Sequence, residues 1–366
     1  MKKRGYRLGL CTGGGDCPGL NAAIRAVVRH AELGYGMEIY GVPDGLTGLT
    51  VKSSGLERLT LTQVDGILTQ GGTILGTNSK GSPFRDKQEA SRLIAAITRT
   101  ISRLKLDGLI VIGGDGSQFM AKQLAAAGLN IIGIPKTIDN DLIGTEQTIG
   151  FATAVDIATD AACRLGSSAD AHNRLMILEV MGRDAGHIAL ATAIASGAHA
   201  VLLPELPFSL EALSAQLLAR PMGGQRGSLV VVAEGAHPSG SDPMFQDSVT
   251  GSKQLGGIGA YIARLISERT GIDARVAVLG HVQRGGPPNA TDRILAANFA
   301  RQAVELAAAG RFGHIVGIRR GRASATSYQS VSDKRRTIDL ADPMLKTAQA
   351  LGMSLGQPSP SKGRLL

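Results

Sequence analysis

The sequence predicts an α/β protein with two doubly wound lobes and mainly parallel sheets. Short apolar runs without alternation are repeatedly followed by segments in which apolar residues recur with helical period. Such runs are typical of strands buried on both faces, as in parallel sheets covered by helices. The chain has 366 residues, more than a single core usually supports. Its 49 glycines and lack of tryptophan also suit a fold of this class.

The predicted elements alternate along the chain. The apolar runs interpreted as strands lie at residues 7–11, 107–113, 130–135, 174–180, 227–234 and 274–280. The segments with helical period lie at residues 21–32, 118–128, 149–165, 185–197, 258–271 and 292–310. We place the boundary between the lobes near Gly150. Residues 324–336 and the last ten are polar and rich in breakers, so we expect surface structure or partial disorder there.

Composition argues against several classes of protein. No run approaches the roughly 18 to 20 apolar residues of a membrane helix, and the N-terminus leads straight into a strand, so we expect a cytoplasmic protein. Three cysteines, Cys11, Cys17 and Cys163, are too few for a disulfide framework, and none has zinc-site spacing. They are interpreted as reduced thiols, with a redox role for Cys11 and Cys17 left open.

The net charge of +9 is concentrated at the C-terminus. Residues 319–366 hold nine Lys or Arg against three Asp or Glu, and the other 318 residues hold 30 basic and 27 acidic groups. No aromatic-rich motif offers bases a surface on which to stack. We therefore expect no nucleic-acid partner, although binding through the basic C-terminal tail stays open as a remote alternative.

Two glycine-rich loops follow predicted strands, at the position where open parallel sheets bind ligands. Residues 12–16 read Thr-Gly-Gly-Gly-Asp, with Pro18 where a helix would begin, which suits a phosphate as well as a tight turn. Residues 113–117 read Gly-Gly-Asp-Gly-Ser. Asp115 is the single carboxylate there, and it could hold a Mg²⁺ ion that bridges phosphates or simply cap the next helix.

A third loop, residues 135–141, reads Pro-Lys-Thr-Ile-Asp-Asn-Asp. Asp139 and Asp141 stand beside Lys136 and Thr137. One carboxylate could accept the proton of an attacking hydroxyl while the other orients it or acts on a metal. A turn rich in Asp and Asn is the alternative.

In this order and at similar spacing, the three loops resemble the phosphofructokinase family. Further similar segments lie at residues 172–174, 179–183, 234–235, 275 and 279–286, and the resemblance covers about residues 6–318. It implies transfer of the γ-phosphoryl group of Mg²⁺-bound ATP to the 1-hydroxyl of fructose 6-phosphate, a step of glycolysis. It also implies a homotetramer with shared sites.

The resemblance assigns roles residue by residue. The positions implied to bind ATP and Mg²⁺ are Gly15, Lys80, Gly81, Arg85, Gly114, Asp115, Gly116 and Ser117, with Asp115 on the metal. Asp139 is implied to be the general base, supported by Thr137, Asp141 and Arg183. The positions implied to bind the sugar phosphate are Thr137, Asp139, Arg174, Met181, Gly182, Arg183, Glu234, Arg275, His281 and Arg284.

The same resemblance divides these roles between the lobes. Residues 1–150 with 283–333 are expected to form the nucleotide-binding lobe, and residues 151–282 with 334–366 the sugar-phosphate-binding lobe. A sugar-phosphate dianion is held best by guanidinium groups. In relatives, the counterparts of Arg174 and Arg275 reach in from a neighbouring subunit.

Two positions bear on the phosphoryl donor. Gly116 stands where relatives that use pyrophosphate usually have an aspartate, whose side chain would occupy the room of the ATP α-phosphate. Lys136 is more typical of the pyrophosphate enzymes, although the Gly/Lys combination occurs in a branch of ATP-using relatives. ATP is the prediction and pyrophosphate the alternative. A lipid or NAD kinase and a catalytically idle relative are remote alternatives.

Overall fold

A computed structural model describes residues 6–50, 55–78, 86–219, 226–247, 253–332 and 334–358. The chain divides into two units. The first unit comprises Met1–Thr153 and Arg284–Arg335, and the second comprises Ala154–Gln283 and Arg336–Leu366. Which ligand each unit binds stays a prediction.

The strands of the described ranges are, in chain order, β1 (Arg7–Gly13), β2 (Glu38–Val42), β3 (Glu57–Leu59), β4 (Gly108–Gly113), β5 (Ile131–Thr137), β6 (Ile149–Gly150), β7 (Leu175–Val180), β8 (Ala200–Leu202), β9 (Ser228–Ala233), β10 (Phe245–Asp247), β11 (Lys253–Leu255), β12 (Ala274–Val278), β13 (His314–Arg319) and β14 (Arg322–Ser327). Most of these strands are parallel, which confirms the predicted fold class.

The helices are α1 (Leu20–Tyr35), α2 (Leu61–Val64), α3 (Lys87–Leu104), α4 (Asp115–Ala126), α5 (Phe151–His172), α6 (His187–Ser196), α7 (Leu210–Leu218), α8 (Ile258–Thr270), α9 (Ala290–Ala308) and α10 (Pro343–Ala350). Among the described helices, none combines the length and the apolar content that crossing a membrane requires.

The sheet of the first unit has the strand order β14-β13-β5-β4-β1-β2-β3, and β6 pairs with β5. Strands β2, β1, β4, β5 and β13 are parallel, whereas β3 and β14 are antiparallel strands at the two edges. The register places Gly13, Gly113 and Pro135 side by side. The three loops singled out in the sequence therefore leave the carboxyl ends of β1, β4 and β5 at the same level of the sheet.

Buried polar contacts fix the helices of this unit. Asp292, fully buried in α9, accepts hydrogen bonds from the backbone N–H groups of Gly150 (2.9 Å) and Thr153 (2.8 Å) and from the Thr153 hydroxyl (2.5 Å). A buried carboxylate needs such donors, because it loses its hydration on folding. Asp292 thus attaches α9 to the first turn of α5.

The second unit is built on a parallel sheet with the order β12-β7-β9-β8. Its core includes Ile177 of β7, Val230 of β9, Ile262 of α8 and Phe208, all fully buried. Strands β10 and β11 form a separate antiparallel pair. Val180 and Ala233 lie opposite each other at the carboxyl ends of β7 and β9, which fixes the loops that follow.

Part of the segment expected on the surface or in disorder is ordered and buried. Strand β14 pairs along its length with β13, and Tyr328, which follows it, is only 3% exposed. The expectation was wrong for Tyr328. The residues around it are polar because they lie at an exposed sheet edge, whereas the tyrosine ring enters the core.

All three cysteines are free thiols. Cys163 is exposed, while Cys11 and Cys17 are buried, and desolvation raises the pKa of each buried thiol to about 12. A thiol is reactive as the thiolate, so burial makes these two groups inert near neutral pH.

Candidate active site

The loop after β1 is held by a buried lysine. Lys136, at the end of β5, is 2% exposed and donates hydrogen bonds to the carbonyl oxygens of Gly13 (3.0 Å) and Gly15. Burial lowers the pKa of its amino group, and the Arg284 charge lowers it further. The Lys136 charge is therefore directed at carbonyl oxygens of the loop. The Gly14 N–H donates to the Asn78 carbonyl (3.2 Å), so an anion would be bound by the other N–H groups of the loop.

The same loop is held on two other sides. The Thr77 hydroxyl donates to the Gly14 carbonyl (2.5 Å), and the Arg284 guanidinium donates to the Asp16 carbonyl (3.0 Å). A Cβ atom at Gly15 would lie 2.8 Å from the Arg284 Nη1 atom, so a side chain there would displace the guanidinium from its present position. Arg284, which the resemblance assigns to the sugar phosphate, thus lies against the predicted phosphate loop.

Asp115 begins α4 directly beyond the carboxyl end of β4, and its side chain is 49% exposed. Gly116 is also exposed, and a Cβ atom built on it would meet nothing within 4 Å. Neither packing nor backbone conformation demands glycine there, so the space beside Asp115 is open. Ser117, which the resemblance assigns to nucleotide binding, has its hydroxyl buried between Gly13 and Gly113.

A buried glutamine that was not predicted connects the ends of two strands. The Gln118 side-chain amide donates to the carbonyls of Val111 (3.2 Å), Gly113 (3.1 Å) and Ile134 (3.0 Å), and its oxygen accepts from the Tyr328 hydroxyl (2.6 Å). These bonds hold β4 and β5 together where Asp115 and the third loop begin. One glutamine in a helical segment carries no sequence signal for such a role.

The third loop presents its two aspartates through a turn. Asn140 adopts φ +52°, a left-handed conformation that asparagine tolerates better than most residues. Its side-chain oxygen accepts a hydrogen bond from Thr148 (3.3 Å). The Asp139 N–H donates to the Thr137 hydroxyl (3.1 Å), so Thr137 fixes the backbone of the predicted base.

Asp141 is the most buried carboxyl of this loop, with its side chain 9% exposed. Desolvation raises its pKa to about 6, and the neighbouring charges of Asp139 and Asp115 act in the same direction. Arg335 opposes the shift, since its Nε atom lies 3.8 Å from Asp141 Oδ2. The three aspartates therefore form one acidic cluster near the loop ends of β4 and β5.

This cluster fits a magnesium ion. Among the described residues, the Oδ1 atom of Asp141 is buried without a hydrogen-bond partner, and no group of three His, Cys, Asp or Glu side chains could form an all-protein metal cage. Mg²⁺ suits such a site, because it takes one or two carboxylates and completes its shell with phosphates and water. Asp115, half exposed, is the ligand that the resemblance assigns, and the unpartnered Oδ1 atom of Asp141 lies in the same cluster.

The second unit presents interlocked loops at the carboxyl ends of β7 and β9. Gly182 adopts φ +143°, and a Cβ atom at Gly235 would lie 1.9 Å from the Arg183 carbonyl oxygen, so both positions require glycine. The Gly235 N–H donates to the Gly182 carbonyl (3.1 Å). Met181, Arg183 and the half-buried Glu234 thus follow neighbouring strands at their carboxyl ends.

A second unpredicted glutamine supports these loops. Gln283, fully buried, accepts a hydrogen bond from the Met181 N–H (2.7 Å). His281, exposed two residues earlier, lies in the same short 3₁₀ turn, Gly280–Arg284. The Met181 amide predicted to contact substrate is therefore already bound by Gln283, which leaves Gly182 and Arg183 to present polar groups.

Arg174 and Arg275 lie at the other end of these strands, near the amino ends of β7 and β12. Arg174 precedes β7, and Arg275 pairs in register with Met176 near the start of that strand. Both guanidinium groups bind Asp273, at 2.7 Å and 3.3 Å. Six strand residues separate this end from Met181, which is roughly 20 Å at about 3.3 Å per residue. The structure does not bring these two arginines to the loops of their own unit.

Three of the predicted nucleotide contacts, Lys80, Gly81 and Arg85, lie outside the described residues.

Comparison with known proteins bears on this arrangement. The family model described as phosphofructokinase matches residues 7–307. The chain belongs to the phosphofructokinase family. A curated relative from Synechocystis sp., ATP-dependent 6-phosphofructokinase 1, is 43% identical over 360 residues, covering 96% of this chain and 98% of the relative.

Two further phosphofructokinase relatives broaden the comparison. Pyrophosphate–fructose 6-phosphate 1-phosphotransferase from Amycolatopsis methanolica is 45% identical over 316 residues, covering 86% of this chain and 90% of that protein. Phosphofructokinase from Pichia pastoris, solved in the T-state, has a TM-score of 0.76 and 31% identity, and the match covers 89% of this chain and 35% of that one. Both donor types therefore occur among relatives of this chain.

Asp141→Asn should stabilise the protein in a pH-dependent way. The pKa of Asp141 is about 6 in the folded chain, above the ordinary 3.8, so ionising this carboxyl costs stability as pH rises through that window. Asparagine removes the cost. We expect the free energy of unfolding at pH 8 to rise by about 2 to 3 kcal/mol and the gain to vanish near pH 4.

Urea unfolding at several pH values measures this effect. Asp160→Asn is the matched control, because Asp160 pairs with Arg164 at an exposed position. A gain for Asp141→Asn that does not change with pH would contradict the assignment.

Proposed function

We propose that this phosphofructokinase transfers the γ-phosphoryl group of ATP to the 1-hydroxyl of fructose 6-phosphate, forming fructose 1,6-bisphosphate and ADP, in the cytoplasm. The carrying observation is the register that starts three polar loops at one level of the first sheet. This register brings a glycine loop, a carboxylate for a metal and a candidate base to the carboxyl ends of neighbouring strands. Phosphoryl transfer depends mostly on such positioning and charge neutralisation.

The first unit supplies the donor site in this proposal. The loop around Gly15 and the start of α4 at Gly114–Ser117 would hold the phosphates through backbone N–H groups and the helix N-terminus. Mg²⁺, when bound through Asp115, supplies neutralisation of the developing charge on the phosphates. The open space beside Gly116 supports ATP as the donor, because a larger donor needs that room.

Asp139 is the proposed general base. The sugar O1 atom forms the new bond to the γ-phosphorus while the bond from phosphorus to the bridging oxygen of ADP breaks. The proton leaves O1 for the Asp139 carboxylate, which the Thr137 hydroxyl positions through the Asp139 N–H. The raised pKa of Asp141, about 6, means that this carboxyl is protonated only below that pH, where it limits the negative charge of the cluster.

The second unit supplies cations and hydroxyl partners for the sugar phosphate. Arg183, Glu234 and His281 lie on loops at one edge of its sheet, whereas Arg174 and Arg275 lie at the other edge. We propose that these two arginines serve the site of a second copy of the chain, within a homotetramer that shares its sites. Their distance of roughly 20 Å from Met181 along β7 supports this arrangement.

A comparison of donors on the purified protein tests the donor assignment. We expect ATP to support turnover and pyrophosphate to support little at equal Mg²⁺. Gly116→Asp should fold normally, since its Cβ atom meets nothing, but kcat/KM for ATP should fall by roughly 100-fold because a carboxylate beside phosphates is repelled. Gly116→Ala is the matched control and should keep most activity. Turnover with pyrophosphate and not with ATP would overturn the donor assignment.

Asp139→Asn tests the base. We expect kcat to fall by about 10²- to 10⁴-fold with little change in the KM for fructose 6-phosphate, because the variant loses proton transfer and keeps its shape. Thr137→Ser retains the hydroxyl that accepts from the Asp139 N–H, so it should keep most of the activity. An intact kcat in Asp139→Asn removes this residue from the role.

Hybrid assemblies test whether sites are shared. Asp139→Asn and Arg275→Ala should each be nearly inactive toward fructose 6-phosphate alone. When the two variants are unfolded together and reassembled at equal amounts, about a quarter of shared sites should hold both native residues. Activity should then rise well above that of either parent. No recovery would mean that each chain completes its own site.

A further inference from the structure

Arg335 forms an ion pair with Asp115, the predicted metal ligand. Its Nε and Nη2 atoms donate hydrogen bonds to the Oδ2 atom of Asp115, at 3.0 Å and 2.7 Å. Its Nε atom also lies 3.8 Å from Asp141 Oδ2. One guanidinium thus serves two carboxylates that leave different strands of the first sheet. Arg335 belongs to the basic C-terminal segment and was assigned no role from the sequence.

The two carboxylates have space around them. Asp115 and Asp141 line a cavity of about 290 Å³ within the first unit. Its other lining residues include Gly116, the apolar side chains of Phe119, Leu142, Ile143, Ile315 and Val331, and the lysines Lys122 and Lys334. Asp141 is more than nine-tenths buried, and its Oδ1 atom has no hydrogen-bond partner among the described residues. The pair therefore has room for a hydrated ion and an unused ligand atom, while the guanidinium occupies one face.

Arg335 and a metal ion would compete for the same carboxylate oxygen of Asp115. Charge-assisted bonds from a guanidinium to a carboxylate are short and directional, and here both converge on a single oxygen of Asp115. Mg²⁺ also coordinates carboxylate oxygens and gives up its water reluctantly. An oxygen that accepts two such bonds cannot offer the same lone pairs to the ion.

We infer that Arg335 is the resident counterion of Asp115 and Asp141, and that it releases Asp115 when the metal of the donor binds. The inference rests on the proposed function, because Asp115 is a metal ligand only within that proposal. Arg335 acts as a positioning residue: it neutralises the acidic pair in the empty site and lowers the affinity for free metal. The site then takes up its metal together with the nucleotide, whose phosphates bring further ligands.

Binding of Mn²⁺ to the full chain without nucleotide tests this inference, with unbound Mn²⁺ followed by electron paramagnetic resonance. Arg335→Gln should bind Mn²⁺ about three- to tenfold more tightly than the unaltered chain, the range expected when one partly exposed ion pair no longer competes. Arg335→Lys retains the charge but not the fork, and should lie between the two.

Two controls separate local competition from other effects. Arg322→Gln removes the same charge from an exposed position on β14 and should leave Mn²⁺ binding unchanged. In an Asp115→Asn background, Mn²⁺ binding should be weak and Arg335→Gln should have no effect. Thermal unfolding of each variant confirms that the chain is folded.

Several results would overturn the inference. These are Mn²⁺ binding that is equal or weaker in Arg335→Gln, equal tightening in Arg322→Gln, or Mn²⁺ binding that does not need Asp115. Phosphorylation of fructose 6-phosphate by the unaltered chain is measured on the same preparation. If this phosphorylation occurs and Arg335→Gln leaves Mn²⁺ binding unchanged, the inference fails and the proposed function stands. If the unaltered chain does not phosphorylate fructose 6-phosphate, the proposed function fails whatever the Mn²⁺ result.

Discussion

The first unit depends on one buried ammonium group. Lys136 lies at the end of β5 and donates to the carbonyls of Gly13 and Gly15 at the end of β1, with β4 between the two strands. A charge is costly to bury, as its lowered pKa indicates, and the carbonyl oxygens compensate only in this geometry. Because the lysine turns those oxygens inward, the loop can present N–H groups to an anion.

Buried amide side chains hold the other loops in the same way, through hydrogen bonds to the backbone. Gln118 connects the ends of β4 and β5, and Gln283 binds the backbone of Met181 beyond β7. In each case a neutral or compensated polar side chain holds a loop that carries reactive groups, and those groups themselves remain partly exposed. Rigid support beneath an accessible site is what a reaction based on positioning requires.

The fold class and the three loops of the first unit were predictable because their signals are local. Apolar runs end in glycine and aspartate within a few residues, and those residues mark both strand ends and chemistry. The supports were not predictable, because they join distant parts of the chain: Gln118 and Tyr328 are 210 positions apart, and Asp115 and Arg335 are 220 apart. The inward direction of the Ser117 hydroxyl was not predictable either, because it depends on the room that Gly13 and Gly113 leave for it.

The placement of Arg174 and Arg275 has a consequence for regulation by abundance. Both bind Asp273 at the edge of the second sheet that faces away from Met181 along β7. If they complete the site of another copy, dilution below the dissociation constant of the assembly would silence every chain without unfolding any of them. The concentration of the protein in the cell would then set the fraction of active sites that are complete. In an unassembled chain, Asp273 would hold the two arginines in place.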